Sequence, residues 1–284
     1  MIRAIDHVVI AVEDLEEAAL HYSVLFGRCP SWSGEHPEWG TANVLFKFEN
    51  IYVELLAQAG NGPLADAVQH RLETSGEGLV GIAFATDDAD ACAAGLRAHG
   101  IAASDPIEGA GANPEGKVRR WRNVLIPADA SRGVMAFAIE HLEDSAPLPL
   151  AQAVADAPVA GVDHIVILSK APDATKKFYG DTLGIRLALD QEKPEWGARQ
   201  LFFKIAGVVL EVGASLKDPP DESAPDNAWG ICWGVDDAVA TRERLAAAGV
   251  DVSEVRDGRK PGTRVCTVRS QTHGVASLLL EVVR

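Results

Sequence analysis

A chain of 284 residues is long for one hydrophobic core and comfortable for two, and 47% hydrophobic with 24% charged residues describes a folded chain rather than a disordered one. Its 26 Lys and Arg against 41 Asp and Glu leave a net charge of −15, a field that repels phosphate backbones and anionic lipid, so nucleic acid and membrane surfaces are excluded as partners. The scattered cysteines (Cys29, Cys92, Cys232, Cys266), the lack of an apolar run near ~18 residues and the lack of a secretory leader predict a cytoplasmic protein with reduced thiols.

In chain order, the β-branched run "IDHVVIAV" predicts a strand. Asp14 then caps a helix whose apolar residues Leu15, Ala18, Ala19, Tyr22 and Phe26 recur at helical spacing and which stops at Gly27. A short strand between Arg28 and Ser33 follows, then "ANVLFKF" and "IYVELLA", joined by the turn Glu49-Asn50. The order is β-α-β-β-β. A weaker copy runs through "GIAFATDDADACAAGLRAHG" (Gly81 to Gly100) and "SRGVMAFAIE" (Ser131 to Glu140). After "EDSAPLPLAQAVADAPVA", which reads as a surface linker, the pattern starts again. A shift of 157 carries Asp6, His7, Tyr22, Gly27, Pro37-Glu38-Trp39-Gly40 and Glu54 onto Asp163, His164, Tyr179, Gly184, Pro194-Glu195-Trp196-Gly197 and Glu211. Shifts of 149 and 141 relate the second and fourth quarters, pairing Glu140 with Glu281. The predicted class is α+β with internal duplication. It comprises a first domain over 1–143 (modules 1–57 and 78–143), a linker over 144–158, and a second domain over 159–284 (modules 159–214 and 228–284).

Strand alternation decides which residues share a face. Tyr52, Glu54 and Leu56 point one way; Ala136, Ala138 and Glu140 share a face, opposed by Phe137, Ile139 and His141. With one face packed on the helix, the glutamates are expected on the concave inner face of a curved sheet. A carboxylate there needs a partner, because an unpaired buried charge costs several kcal/mol or takes up a proton. His7 and His164 can be that partner, as can a metal ion held by imidazole and two carboxylates.

"IDHVVIAVEDLEEAALHYSVLFG" and "VDHIVILSKAPDATKKFYGDTLG" resemble the opening module of the vicinal oxygen chelate (VOC) superfamily, which includes glyoxalase I and the bleomycin-resistance and extradiol-dioxygenase proteins. The resemblance covers nearly the whole chain outside the linker and implies two half-open barrels of paired β-α-β-β-β modules. It also implies metal ligands from the first and last strand of each module: His7, Glu54 and Glu140 in one cup, His164, Glu211 and Glu281 in the other. The family's remaining ligand falls on Gly81 and Gly230, so each cup offers three donors where glyoxalase I-like sites have four. Such a donor set suits a divalent Zn, Ni, Mn or Fe ion, with open positions for substrate or water, and a cup without any ion is the alternative. The implied chemistry is chelation of two neighbouring substrate oxygens, stabilisation of an oxyanion, and proton transfer by Glu54 or Glu140. The function expected first is therefore a metal-dependent lyase or isomerase acting on a small oxygenated compound. A metal-free binding protein of the bleomycin-resistance kind comes second. An extradiol dioxygenase, which needs a further ligand such as His36 or His273, comes third.

Trp39 and Trp196 are candidates for an aromatic pocket wall or for packed turn residues. "KVRRWRN" gathers Lys117, Arg119, Arg120 and Arg122 around Trp121, either as charges that protect an edge strand or as an anion clamp for a substrate carboxylate or phosphate, with Arg120 and Arg122 the candidate contacts. His21, His36, His70, His99 and His141 show no paired spacing and read as surface or packing residues. No P-loop, dinucleotide fingerprint, nucleophile elbow or HExxH motif is present. The expected partner is a small molecule, and a homodimer is compatible with the sequence.

Overall fold

The computed structural model describes residues 2–283; Met1 and Arg284, the outer limits of the expected domains, lie outside the described residues. The predicted module order is observed four times. The first module is β1 (Ala4–Ala11), α1 (Leu15–Phe26), β2 (Trp32–His36), β3 (Thr41–Lys47) and β4 (Tyr52–Gln58). Helix α1 begins where the Asp14 side chain accepts from the backbone N–H of Glu17, and it ends at Gly27 with φ of 62°, the left-handed stop that glycine takes without strain. After helix α2 (Pro63–Ser75), the second module comprises β5 (Gly78–Ala85), α3 (Ala89–Ala98), β6 (Ile107–Ala112), β7 (Val118–Ile126) and β8 (Met135–His141). The third holds β9 (Val159–Leu168), α4 (Pro172–Lys176) continuing into a π-helical turn over Lys177–Thr182, β10 (Arg186–Lys193), β11 (Ala198–Ile205) and β12 (Val208–Ser215). The fourth holds β13 (Asn227–Val235), α5 (Ala238–Ala247), β14 (Arg256–Asp257), β15 (Thr263–Val268) and β16 (Ala276–Val282).

The two halves close differently. Strands β1-β4-β3-β2-β6-β7-β8-β5 form a closed barrel rather than the half-open one expected, sealed between β2 and β6 by the Glu35–Ala112 pair. The second half is an open sheet in the order β10-β11-β12-β9-β13-β16-β15-β14. Its edge strand β14 has only two residues, too few to reach β10.

The main core lies outside the barrel lumen, between sheet and helices, and it is shared by both halves. Val8, Ile10, Val53 and Leu55 from the barrel wall pack on Tyr22, Leu25 and Phe26 of α1. Phe26 in turn meets the fully buried Trp233 of β13 edge-on at 4.9 Å. The segment expected as a surface linker is mostly exposed, and a few of its residues join the packing. Arg28 donates from Nε to Val159 O (2.8 Å) and from Nη1 to Ala151 O (2.7 Å), Ala151 is buried, and Ala146 and Leu148 pack on a cluster of Trp32, Leu45 and Tyr52 at one end of the barrel.

Helix α2 was not anticipated. It starts with Pro63, whose missing N–H costs nothing in a first turn, and it stops at Gly76 with φ of 70°. Leu64, Val68 and Leu72, four residues apart, turn toward Val9, Ala11 and Leu56 and cover the other end of the lumen.

Candidate functional site

The site is built on a β-bulge. In β1, Ile5 pairs with Phe84 and His7 with Ala83, so Asp6 is the extra residue opposite a single step of β5. A bulge sets neighbouring side chains on one side instead of alternating them. Asp6 and His7 therefore lie side by side, with His7 Nδ1 donating to Asp6 Oδ1 at 2.8 Å. Across the parallel β1–β4 pairing, His7 Nε2 stands 3.3 Å from Glu54 Oε2. Asn43 Nδ2 donates to Glu54 Oε1 at 2.6 Å and to His36 Nε2 at 3.3 Å. On the far side of Asp6, His141 Nε2 lies 3.2 Å from Oδ2. The His7 ring stacks on Tyr52 at 4.3 Å and meets Phe137 edge-on at 5.5 Å.

Apart from Asp6, these groups line a cavity of about 1080 Å³ that occupies the barrel and extends to the second half, walled mainly by apolar and aromatic side chains. Its mouth is bounded by α2 and by Pro225 to Trp229 of the second half. Burial shapes the charges. It opposes a charge on His7, but hydrogen bonds with Asp6 and Glu54 outweigh it and raise the imidazole above its ordinary value. For Glu54, burial pushes upward and is overcome by His7, His36 and Asn43, so the carboxyl sits below its usual range; Asp6 is likewise held low by His141 and His7. His36 is lowered by its own burial and is neutral at pH 7. The array thus favours the protonated form of His7 between two carboxylates. The Asn43 carbonyl oxygen is buried without a partner, an acceptor open to a ligand hydroxyl or N–H.

The structure brings only part of the expected set together. Glu140 does not enter the lumen. On β8 Phe137, Ile139 and His141 line the lumen, and Glu140 shares the parity of Ala138, which is absent from the lumen wall and packs in the core outside the barrel. Its Oε2 accepts from the Ala89 N–H at the start of α3 (2.9 Å) and from Arg122 Nη2 (2.6 Å). Glu281 is the same device in the second half, accepting from Ala238 N–H at the start of α5 (3.0 Å) with Arg264 Nη1 at 3.7 Å. Both glutamates serve a helix N-terminus, where their charge is favourable. Glu140→Gln is accordingly expected to lower stability by about 1 kcal/mol in urea denaturation, with ligand uptake by the barrel unchanged in calorimetric titration.

Other expectations also shift. Arg120 is half-exposed beside Asp144, and Arg122 is tied to Glu140 and Asp90, so neither reaches the cavity; alternation on β7 turns Arg119, Trp121 and Asn123 inward instead. Trp39 does line the cavity, whereas Trp196 is exposed under Arg259 and Lys193. His36 and His141, expected as surface or packing residues, are both on the lumen wall. His273 is engaged elsewhere, between Glu77 (2.9 Å) and His21 (3.0 Å) at the junction of the halves. Asp6 was missed as a site residue, although its signal was available: the Asp-His pair recurs as Asp163-His164.

The second half repeats the core of the array in a more open setting. His164 Nδ1 pairs with the bulged Asp163 at 2.7 Å, His164 Nε2 lies 3.5 Å from Glu211, and Gln200 replaces Asn43 in donating to Glu211 at 2.8 Å. Cys232 occupies the place of Ala83 opposite the histidine. Asp163, His164 and Cys232 each offer a ligand-type atom within 4.8 Å of the other two, with burial pushing the Cys232 thiol up and the His164 hydrogen bond holding Asp163 down.

The donor chemistry does not fit a four-ligand metal site in either cup. His7 and Glu54 are spaced like adjacent ligands of one ion. The opposing positions, however, hold Gly81 and Phe137 in the first half, and Gly230 and Leu278 in the second, and none of these side chains can ligate.

Comparisons with known proteins agree with this architecture. Residues 5–161 match a family described as Glyoxalase-like domain, and residues 163–267 match the Glyoxalase/Bleomycin resistance protein/Dioxygenase superfamily. An ethylmalonyl-CoA/methylmalonyl-CoA epimerase of Cereibacter sphaeroides is 29% identical over 100 residues, 33% of this chain and 75% of that protein. Among solved structures, a triple mutant of 4-hydroxymandelate synthase from Streptomyces coelicolor superposes with a TM-score of 0.70 at 14% identity, covering 100% of this chain and 94% of the other. A hypothetical protein from Staphylococcus aureus superposes with a TM-score of 0.67 at 14% identity, covering 98% and 99%. At such identities these likenesses speak for the fold alone. No helix among the described residues is long and apolar enough to cross a membrane. With glyoxalase-type sequence matching more than half of its length and the duplicated β-α-β-β-β architecture running through both halves, the chain belongs to the vicinal oxygen chelate superfamily.

Proposed function

We propose that this chain is an isomerase- or lyase-type acid–base catalyst whose working cup is the first-half barrel, where a small oxygenated substrate meets the Asp6–His7–Glu54 array. The observation that carries this reading is His7 buried between the Asp6 and Glu54 carboxylates, at 2.8 and 3.3 Å, on the wall of an otherwise apolar, aromatic cavity. In the resting array Glu54 is a weak base, because its charge is satisfied by His7 and Asn43. A substrate carbonyl oxygen that takes the His7 Nε2–H removes that satisfaction and strengthens Glu54 as a base. Glu54 then accepts the proton from the carbon next to the carbonyl, and the electron pair moves onto the oxygen. The imidazolium stabilises the enolate, Asp6 holds the ring, and return of the proton to either face or another carbon completes the reaction. The epimerase-like relative supports proton transfer next to a carbonyl as the reaction type.

A second reading, binding without turnover, is favoured by the apolar lining and by the engagement of Glu140 and Glu281 with arginine and helix ends. The test is proton exchange. Hydroxyketones and oxo acids that raise the melting temperature are incubated with the protein in D2O and followed by NMR. Exchange of the carbon-bound proton is expected, falling at least about 100-fold in Glu54→Gln. Binding with no exchange would instead establish the binder. Elemental analysis of the purified protein runs in parallel; one ion per chain, lost in His7→Ala but kept in His164→Ala, would replace the metal-free scheme with metal-assisted chemistry.

A further inference from the structure

Arg119 has no counterpart to its charge. It sits on β7 facing the lumen, is only 7% exposed, and its Nε is buried without a hydrogen-bond partner. No carboxylate among the described residues is within ion-pair distance of it. Its neighbours are aromatic faces instead, with Cζ 5.9 Å from the Trp32 ring and 5.6 Å from the Tyr52 ring. The other arginines of the same strand are paired outside the barrel, Arg120 with Asp144 and Arg122 with Glu140 and Asp90. A buried guanidinium is normally retained only with a partner, because cation–π contact offsets part of its desolvation but leaves its in-plane N–H groups unused. The acidic groups of the array, Asp6 and Glu54, are already committed to histidines and to Asn43.

We propose that Arg119 is the anchor for a carboxylate on the ligand, so that the cup takes an organic monoanion whose apolar body lies against the aromatic wall. This rests on the first-half barrel being the ligand site, and it adds the substrate class that site would take. One guanidinium presents a planar fork that matches a carboxylate with two parallel hydrogen bonds. It is also a single positive charge. The adjoining His36 is neutral, so a phosphate dianion placed here would leave one charge unbalanced in a buried site. The anchor lies at the Trp32–Tyr52 end of the lumen, and Tyr52 also stacks on His7. A ligand held by Arg119 therefore extends past the His7–Glu54 pair toward the mouth under α2.

The test is isothermal titration of the full chain with three probes of one shape: 2-naphthylacetate, its neutral amide, and 2-naphthyl phosphate. The carboxylate is expected to bind about tenfold or more tightly than the amide. Arg119→Gln should erase that preference while changing the affinity for the amide by less than about twofold, and Arg119→Lys should restore part of it. Melting curves of both variants confirm folding, and if Arg119→Gln does not fold, the wild-type probe ranking and the lysine variant decide the matter. Equal binding of acid and amide by the wild type, or an unchanged preference in Arg119→Gln, overturns the anchor and leaves the cup standing. Tightest binding of the phosphate overturns the carboxylate assignment. Binding of none of the three overturns the anchor and the cup together.

Discussion

His7→Ala is expected to lower stability by about 3–5 kcal/mol near pH 6, because it leaves two buried carboxylates facing each other's field without the imidazolium between them. The loss must depend on pH. The His7 pKa is raised in the folded state, so its contribution is complete below its ordinary value of about 6.5 and fades as pH rises through the raised value. The pKa values of Asp6 and Glu54 are depressed, so their contributions are complete above about 4.3 and fade as pH falls through the depressed values. The full array therefore stabilises the fold from about pH 4.5 to 6.5, and the deficit of the variant peaks there. Toward pH 3 it shrinks, as the stranded carboxyls take up protons. Urea titrations from pH 3 to 8 measure this directly. A deficit that stays flat across the range would reduce His7 to the packing partner of Tyr52 and remove the charged array on which the proposed proton transfer depends.

Trp233→Ala is expected to cost about 3–5 kcal/mol as well, for a different reason. Trp233 is among the largest fully buried side chains and belongs to the second half, yet it packs at 4.9 Å on Phe26 of the first. Arg244 of α5 adds a polar tie at the same place, donating from Nη2 to Leu25 O at 3.0 Å and from Nη1 to Val24 O, which caps the last carbonyls of α1. Removing the indole opens a cavity in a core common to both halves. Unfolding should then remain one cooperative transition, displaced to lower denaturant, when followed by far-UV circular dichroism and by hydrogen exchange of β1 and β13 amides. If β13 loses protection while β1 keeps it, the halves are independent units that merely touch, and the shared core is not a folding unit.

Much of this molecule is legible in its sequence. The period of the repeat, the four β-α-β-β-β modules, the helix stops at Gly27 and Gly249, and the His7–Glu54 and His164–Glu211 pairs all follow from local chemistry copied at fixed spacing. Helix α2 lies outside the four predicted modules, yet Pro63, the spacing of Leu64, Val68 and Leu72, and Gly76 are its signals. The side toward which a strand turns a given residue is harder to read. Alternation separates Glu140 from His141 and Arg119 from Arg120, but it does not say which parity is inward when both faces carry apolar residues, as "MAFAIEH" does.

The sequence by itself determined the duplicated α+β architecture and the recurrence of a histidine beside a glutamate. Only the tertiary structure decided that Glu140 and Glu281 serve helix ends, that Arg119 enters the cavity unpaired, and that one sheet closes while the other stays open. The physical reason is that inward and outward faces, charge partners and barrel closure depend on strands that meet across long stretches of chain. No local pattern encodes those encounters.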